Sequence, residues 1–404
     1  MVDYKRYRRV LVIVIDSIGV GGAPDAASFS SEGADTLGHI AEYFTNELGE
    51  PLAIPNLASL GVSLTHPGGL AGVPAPAEPR GCYGRMRVTS YGNDSLDGHW
   101  EMMCLPARFH VDYFPEGFPA SLLSKIEGFC GRRCIVNKPY SGTQVIAEYG
   151  ERQLKTGELI VYTSADSVLQ IAAHEEVIPL DELYSICSFT RGIVNGPEVT
   201  LGRVIARPFV GTCADDFSRT ANRRDYGLEP TGRTALDVLR DAGADVIGVG
   251  KISDLFCGNG LTRSFHNESN SDGMDHVAAV LGEDWSGLCF TNLVDFDARY
   301  GHRRDAEGDG RALEEFDRGL GVAMGLMHDD DLLVVTADHG NDPTYVGTDH
   351  TRELVPLLAW SPSMRGGADL GLRATCSDLG ETILDNFGLP SPGGEGTSFL
   401  AEVS

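Results

Sequence analysis

Two apolar runs in this chain each lead into an aspartate. One is Leu11-Val12-Ile13-Val14-Ile15-Asp16; the other is Leu332-Leu333-Val334-Val335, followed by Thr336-Ala337-Asp338-His339-Gly340. Short apolar runs without alternation mark strands covered on both faces, so a largely parallel sheet flanked by helices is expected. A buried strand that ends in charge needs a partner to offset the desolvation of that charge. A third acidic and histidine-bearing run, Asp295-Phe296-Asp297-Ala298-Arg299-Tyr300-Gly301-His302, follows the strand candidate at 288–294, and His350 lies further on. In open α/β sheets the ligand groups gather beyond the carboxyl ends of the strands. Asp16, Asp297 and Asp338 fall there. Hard carboxylate and imidazole ligands together point to a divalent-metal site holding two ions, suited to chemistry on phosphate.

The length of 404 residues implies more than one domain. Strand candidates at 10–15, 244–249, 288–294 and 331–336 sit on the two flanks, with a helix expected over 310–328. A last helix is expected near 377–387, capped by Ser377 and stopped by Gly388. The middle of the chain has mixed short runs, such as 159–163 and 203–208, and lacks the clustered acids and histidines of the flanks. The expected division is a core domain of 1–104 and 231–404, with 105–230 inserted as a separate, smaller α+β lobe, which the resemblance described below implies is a cap that contacts substrate.

The net charge of −26, from 32 basic and 58 acidic side chains, argues against a nucleic-acid or anionic-membrane partner. It also means that arginines and metals must reverse the field locally if the substrate is an anion. No run reaches the roughly 18 apolar residues of a spanning helix. The basic N-terminus (Lys5, Arg6, Arg8, Arg9) precedes an apolar run that Asp16 interrupts, which does not fit a signal peptide. The nine scattered cysteines suit a reducing cytoplasm, and Cys130 and Cys134 read as incidental thiols.

Ser95, in Gly92-Asn93-Asp94-Ser95-Leu96-Asp97-Gly98-His99-Trp100-Glu101, is the candidate nucleophile. A serine hydroxyl must be activated, which metal coordination can do, and the amides of a helix starting there would help to hold a phosphoryl group. Local spacing equally allows Asp94 or Ser95 to be a plain helix cap. Arg203, Arg207 and Arg219 are candidate phosphate readers in the middle region, and Lys251 follows a strand; taken singly, each also reads as a surface charge. Asp166 could accept hydrogen bonds from sugar hydroxyls or close a turn.

These stretches together resemble the phosphopentomutase family of the alkaline-phosphatase superfamily. The likeness rests on Asp16 through Gly21, Gly98 through Glu101, Asn137-Lys138-Pro139 with Ser141-Gly142-Thr143, Tyr162 through Glu175, and Gly202 through Phe209. It continues in Lys251 through Asp254, Asn292 through Arg304, Thr336 through Asp342, and His350 through Glu353, so that it spans about residues 10–390. The resemblance implies an alkaline-phosphatase-like core carrying two Mn2+ ions and a mobile cap. It implies that Asp16, Asp338 and His339 hold one ion and Asp297, His302 and His350 the other. It further implies transfer of phosphate between the 1- and 5-positions of ribose or 2-deoxyribose, through a phosphorylated enzyme and a sugar bisphosphate that also serves as activator. Ser164, Asp166, Val168, Arg203, Arg219 and Lys251 match positions lining the family's sugar-phosphate site. The family usually reads Gly-Lys-Asp-Thr where this chain has Gly92-Asn93-Asp94-Ser95, and a threonine at Asp97. By counting, the Asn93 and Asp97 exchanges shift the loop two charges toward negative, which should weaken phosphate binding or change the sugar admitted. A mutase for another pentose phosphate, or a metal-dependent phosphatase, are the alternative readings.

Overall fold

A computed structural model describes residues 5–164, 167–196 and 198–404, and the chain divides into two compact units. The first comprises 1–109 and 230–404, the second 110–229.

The first unit is built on an eight-stranded sheet. Its strands run in the order Arg263–Phe265, Asp245–Val249, Gly287–Leu293, Arg9–Ile15, Asp331–Thr336, Val355–Trp360, Cys82–Met86 and Asp369–Arg373. The first five are mutually parallel; Val355–Trp360 is antiparallel to both its neighbours. All seven residues of Arg9–Ile15 are buried, as expected of a strand covered on both faces. Val14 lies opposite Asn292 on one side and Thr336 on the other. Two residues further along those strands come Asp16 and Asp338, so the register alone delivers both carboxylates to one edge.

Helices cover the sheet. Ala306–Leu326 buries Leu313, Phe316, Leu320, Ala323 and Met324 at helical spacing. It begins before the expected position, because Asp305 accepts the Gly308 N–H at 2.9 Å and caps it. The final helix, Ser377–Phe387, stops on Gly388 in the left-handed conformation, φ 66°. Its N-cap, however, is Cys376. Ser377 is the first helical residue, and its hydroxyl donates to the Glu101 carbonyl at 3.0 Å. A tertiary bond has claimed the side chain that sequence assigns to the cap.

Arg9 is buried at the start of the central strand and pairs bidentately with Asp331 through Nε at 2.7 Å and Nη2 at 2.6 Å. Its Nη1 also donates to the Leu281 and Glu283 carbonyls. Arg9→Ala would leave the Asp331 carboxylate buried without its counter-ion. It is expected to destabilise the fold by about 3–5 kcal/mol. Chemical denaturation checks this, and a loss within error of zero would contradict the pairing.

The second unit has a six-stranded sheet ordered Arg224–Gly227, Arg203–Val210, Val168–His174, Leu159–Thr163, Cys134–Pro139, with Ser218–Arg219 also paired to Arg203–Val210. The helix Gly142–Thr156 covers one face over Ile160, Tyr162, Ala172 and Phe209. Helices Ala120–Cys130 and Leu180–Ile193 cover the other. No helix among the described residues is long and apolar enough to cross a membrane, and all nine cysteines are unpaired.

Candidate active site

The strand ends bring two groups of acids and histidines together: Asp16 with Asp338 and His339, and Asp297 with His339 and His350. His339 belongs to both. Its Nε2 lies 3.4 Å from Asp16 Oδ1 and 3.5 Å from Asp338 Oδ2. His302 joins the second group: its Nε2 is 3.3 Å from Asp297 Oδ2 and 3.2 Å from His350 Nε2. His350 Nε2 in turn is 3.3 Å from Asp297 Oδ1. All six candidate ligands are therefore contiguous.

The other ring nitrogens show why these imidazoles point inward. His302 Nδ1 donates to the Thr348 carbonyl at 2.8 Å, His350 Nδ1 to the Asn93 carbonyl at 2.8 Å, and His339 Nδ1 to the Gly340 carbonyl at 3.0 Å. A carbonyl can only accept, so each ring keeps its proton on Nδ1 and turns a lone pair on Nε2 toward the carboxylates. This is the orientation that metal-bound imidazoles adopt.

Charge gives the same answer. Asp16 and Asp338 are fully buried, and Asp16 Oδ1 and Asp338 Oδ2 have no hydrogen-bond partner. Burial and the neighbouring Asp338 push the Asp16 carboxyl up to about 6. Burial also acts against the charged form of Asp297, but His302 and His350 outweigh it and hold that carboxyl far below its usual range. A site with orphaned buried carboxylate oxygens and three lone pairs aimed among them fits divalent cations. Further side chains fix the acids. Asn292 Nδ2 donates to Asp16 Oδ2 at 2.8 Å, and Asn341 Nδ2 to Asp297 Oδ1 at 2.7 Å.

Ser95 opens the helix Ser95–Met102 and is buried. Its hydroxyl does not cap the helix. That task falls to Asp94, which accepts the Asp97 N–H at 3.1 Å, while the Asp97 carboxylate accepts the Asp94 N–H at 3.2 Å. Ser95 Oγ is left free to lie 3.4 Å from His339 Nε2 and to accept from Lys251 Nζ at 3.1 Å. The capping box also answers the question of charge in this loop. Asp97 turns back onto its own loop, and burial together with Asp94 raises its pKa well above the usual carboxylate range. Asn93 contributes its carbonyl to His350, and Lys251 supplies a cation at the serine.

Several supporting residues carry no role in the sequence reading. His99 Nδ1 donates to the Ser95 carbonyl at 2.8 Å and lies 3.2 Å from Asp338 Oδ2. A Cβ at Gly98 would collide with the Asp338 carbonyl, so the helix that begins at Ser95 packs directly on the Asp338-His339 loop. Buried Arg352 donates to the carbonyls of Val88, Ser90 and Gly92 at 2.8, 3.0 and 2.9 Å, and so holds the loop that precedes Ser95. Glu101 is wholly buried and accepts from the backbone and hydroxyl of Thr89 and of Ser90, from the Thr375 hydroxyl and from the Cys376 N–H. Their signal was present in Gly98-His99-Trp100-Glu101 and Arg352-Glu353, where buried charge needs partners that only the folded chain names. Glu101→Gln puts an amide NH2 against donors and is expected to cost about 1–3 kcal/mol of stability. Thermal denaturation tests this; an unchanged midpoint would show that the acceptor cluster is dispensable.

In the second unit, Ser164 follows the strand Leu159–Thr163, and Val168 is buried opposite Arg203 in parallel register. Asp166 lies outside the described residues. Arg219 is opposite Phe209, six positions beyond Arg203 along the same strand, or about 20 Å at the strand's rise. Its guanidinium reaches Gly142 and Tyr162. Lys251 belongs to the first unit, at the Ser95 hydroxyl.

A parallel α/β core ending in adjacent carboxylates, imidazoles and a buried serine defines a metal-dependent enzyme. Residues 8–391 match the family model described as the metalloenzyme superfamily, which places the chain in that class. The chain is 58% identical over 398 residues to a phosphopentomutase of Levilactobacillus brevis, covering 98% of this chain and all of the relative. It is 57% identical over 399 residues to a phosphopentomutase of Limosilactobacillus reuteri, covering 98% and 99%. The chain belongs to the phosphopentomutase family and is an enzyme of that isomerase type. Among solved structures, the PH0037 protein of Pyrococcus horikoshii superposes with a TM-score of 0.49 at 14% identity, over 96% of this chain and 98% of that one. Phosphoglycerate mutase of Leishmania mexicana gives 0.45 at 13%, over 98% of each.

Proposed function

We propose that the protein interconverts the 1- and 5-phosphates of ribose or 2-deoxyribose, with Ser95 as the residue that carries the phosphoryl group. The observation that carries this reading is the placement of Ser95 Oγ between His339 Nε2 and Lys251 Nζ at the start of a helix. Asp16, Asp338 and His339 would hold one divalent ion, and Asp297, His302 and His350 the other, with His339 near both groups. Two Mn2+ ions are the proposed occupants. Bound there, such ions would stabilise negative charge on the oxygens exchanging the phosphoryl group.

The chain's own residues do the remaining work. Phosphorylated Ser95 gives its phosphoryl group to a hydroxyl of the bound sugar monophosphate: the P–Oγ bond breaks, a P–O bond to the sugar forms, and the proton of the sugar hydroxyl ends on the released Ser95 Oγ. The resulting sugar bisphosphate then returns its other phosphoryl group to Ser95. Lys251 Nζ, already donating to Oγ, offsets charge on the serine oxygen as that bond breaks. Amides at the start of Ser95–Met102 would help to hold the same group. Arg352, Glu101 and His99 keep the serine loop in place. Ser164, Asp166, Val168, Arg203 and Arg219 are the proposed sugar-phosphate contacts of residues 105–230 acting as a cap, which would exclude water from the phosphoserine. Nine unpaired cysteines support a reducing, cytoplasmic setting.

Of the two charge changes in the loop, the turn of Asp97 back onto the Asp94 N–H weakens the case that the second alters sugar choice or favours simple hydrolysis. Product analysis tests the proposal, with Mn2+, a trace of sugar bisphosphate and ribose 1-phosphate or 2-deoxyribose 1-phosphate. A 5-phosphate forming without inorganic phosphate is expected. Stoichiometric release of inorganic phosphate would make the protein a phosphatase.

A further inference from the structure

Arg304 has no part in the steps described at Ser95, yet its side chain binds more of the site's framework than any ligand does. It is half-buried and follows the short turn Gly301–Arg303 that presents His302, and its backbone is left-handed, φ 57°. A residue with a Cβ keeps that conformation only where its surroundings over-determine it. Here one guanidinium meets five oxygens. Nε donates to the Gly347 carbonyl. Nη1 donates to the Gly301 carbonyl at 3.1 Å, the Asn341 side-chain oxygen at 2.7 Å and the Asp342 carbonyl at 2.8 Å. Nη2 donates to the Asp349 carbonyl at 3.2 Å. None of these acceptors is a carboxylate, so the fork fixes the positions of neutral oxygens instead of balancing a charge.

Each ligand of the second group stands one step from this fork. An arginine can only donate, so the Asn341 atom that faces it must be the oxygen. The amide nitrogen then faces away and donates to Asp297 Oδ1 at 2.7 Å. His302 Nδ1 donates to the Thr348 carbonyl at 2.8 Å, and the carbonyls on either side, of Gly347 and Asp349, are both held by Arg304. His350 follows Asp349 directly in the chain. The first group is braced differently. Asp16 is held by Asn292, Asp338 by the Ser17 N–H, and His339 by the Gly340 carbonyl, and among the described residues Arg304 bonds none of these three.

We propose that Arg304 is a positioning residue for the second ion alone: its planar fork sets the Asn341 amide and the 347–349 loop, and through them the directions in which Asp297, His302 and His350 offer their ligand atoms. This rests on the two-ion reading proposed for the site. Lysine cannot replace the fork. Its ammonium has three donors on a flexible stem, so two of the five oxygens would lose their partner. Outer partners of metal ligands commonly set about 10- to 100-fold in metal affinity.

The test is calorimetric titration of the chelated full-length protein with Mn2+. The wild type is expected to bind two ions. Arg304→Lys should bind one with wild-type affinity and the other about 10- to 100-fold more weakly. Adding Arg304→Lys to Asp338→Asn, which lacks the first ion, should weaken the remaining ion by the same factor. Activity lost at low Mn2+ should return in excess Mn2+. A purely structural role would lower the thermal midpoint and leave the two affinities unchanged or move them together; either result overturns the proposal. If Arg304→Lys fails to fold, Arg304→Gln, with two donors and no charge, decides in its place. A wild-type chain that binds a single ion would refute the two-ion reading and the proposal with it. Two ions in the wild type without a selective loss in the variant would refute the proposal alone.

Discussion

Ser95→Ala is expected to abolish phosphoryl transfer, with a fall in kcat on the order of 10^4-fold or more, while two ions remain bound. The fold should survive because the hydroxyl is not structural. Asp94 and Asp97 cap the helix between them, and the Ser95 carbonyl, which receives the His99 bond, is retained in alanine. The variant should also fail to incorporate label from a 32P-labelled sugar bisphosphate. Turnover within tenfold of the wild type, or label still found on the protein, would remove Ser95 from the nucleophile's place.

Asp338→Asn should release one of the two ions and with it nearly all activity. Asp338 Oδ1 accepts the backbone N–H groups of Ser17 and His339 at 3.0 and 3.2 Å, bonds that an asparagine oxygen can keep. What changes is Oδ2, buried and unpartnered, which becomes an amide unable to bind a cation. The loss is therefore one of charge and ligation at an otherwise retained site. Elemental analysis after dialysis should show the metal content halved. Full occupancy would mean that Asp338 is not a ligand, and that the carboxylates of the site need another explanation.

Much of this site was legible in the chain before folding, for a definite reason. Central strands of a parallel sheet are apolar along their whole length, so an aspartate at the end of such a run stands out, as Asp16 and Asp338 do. The position of Ser95 near a helix start was equally readable. What sequence could not give was the division of labour between neighbours. Asp94 rather than Ser95 caps the helix, because the choice depends on which oxygen can bend back to the backbone. Cys376 displaces Ser377 as N-cap, because Glu101 arrives from a distant segment. Lys251, read from sequence beside the candidate phosphate readers, stands at the serine through a contact between residues 156 positions apart. The sharing of His339 between two ligand groups is a property of three strand ends in register, and no single motif contains it. Glu101 and Arg352 were visible as letters but not as functions, since each acts on main-chain groups that have no identity in a sequence.

A centre whose ligands are aimed by main-chain groups can change over time in a particular way. The three inward-facing imidazoles are aimed by the carbonyls of Asn93, Gly340 and Thr348. A carbonyl is present whatever residue occupies the position. Substitution at Asn93 or Thr348 can therefore alter the chemistry around Ser95 while the histidines keep their bearing, provided the loop holds its path. The aim of the ligands and the character of the pocket are inherited separately, which allows a lineage to explore the second without misplacing the first.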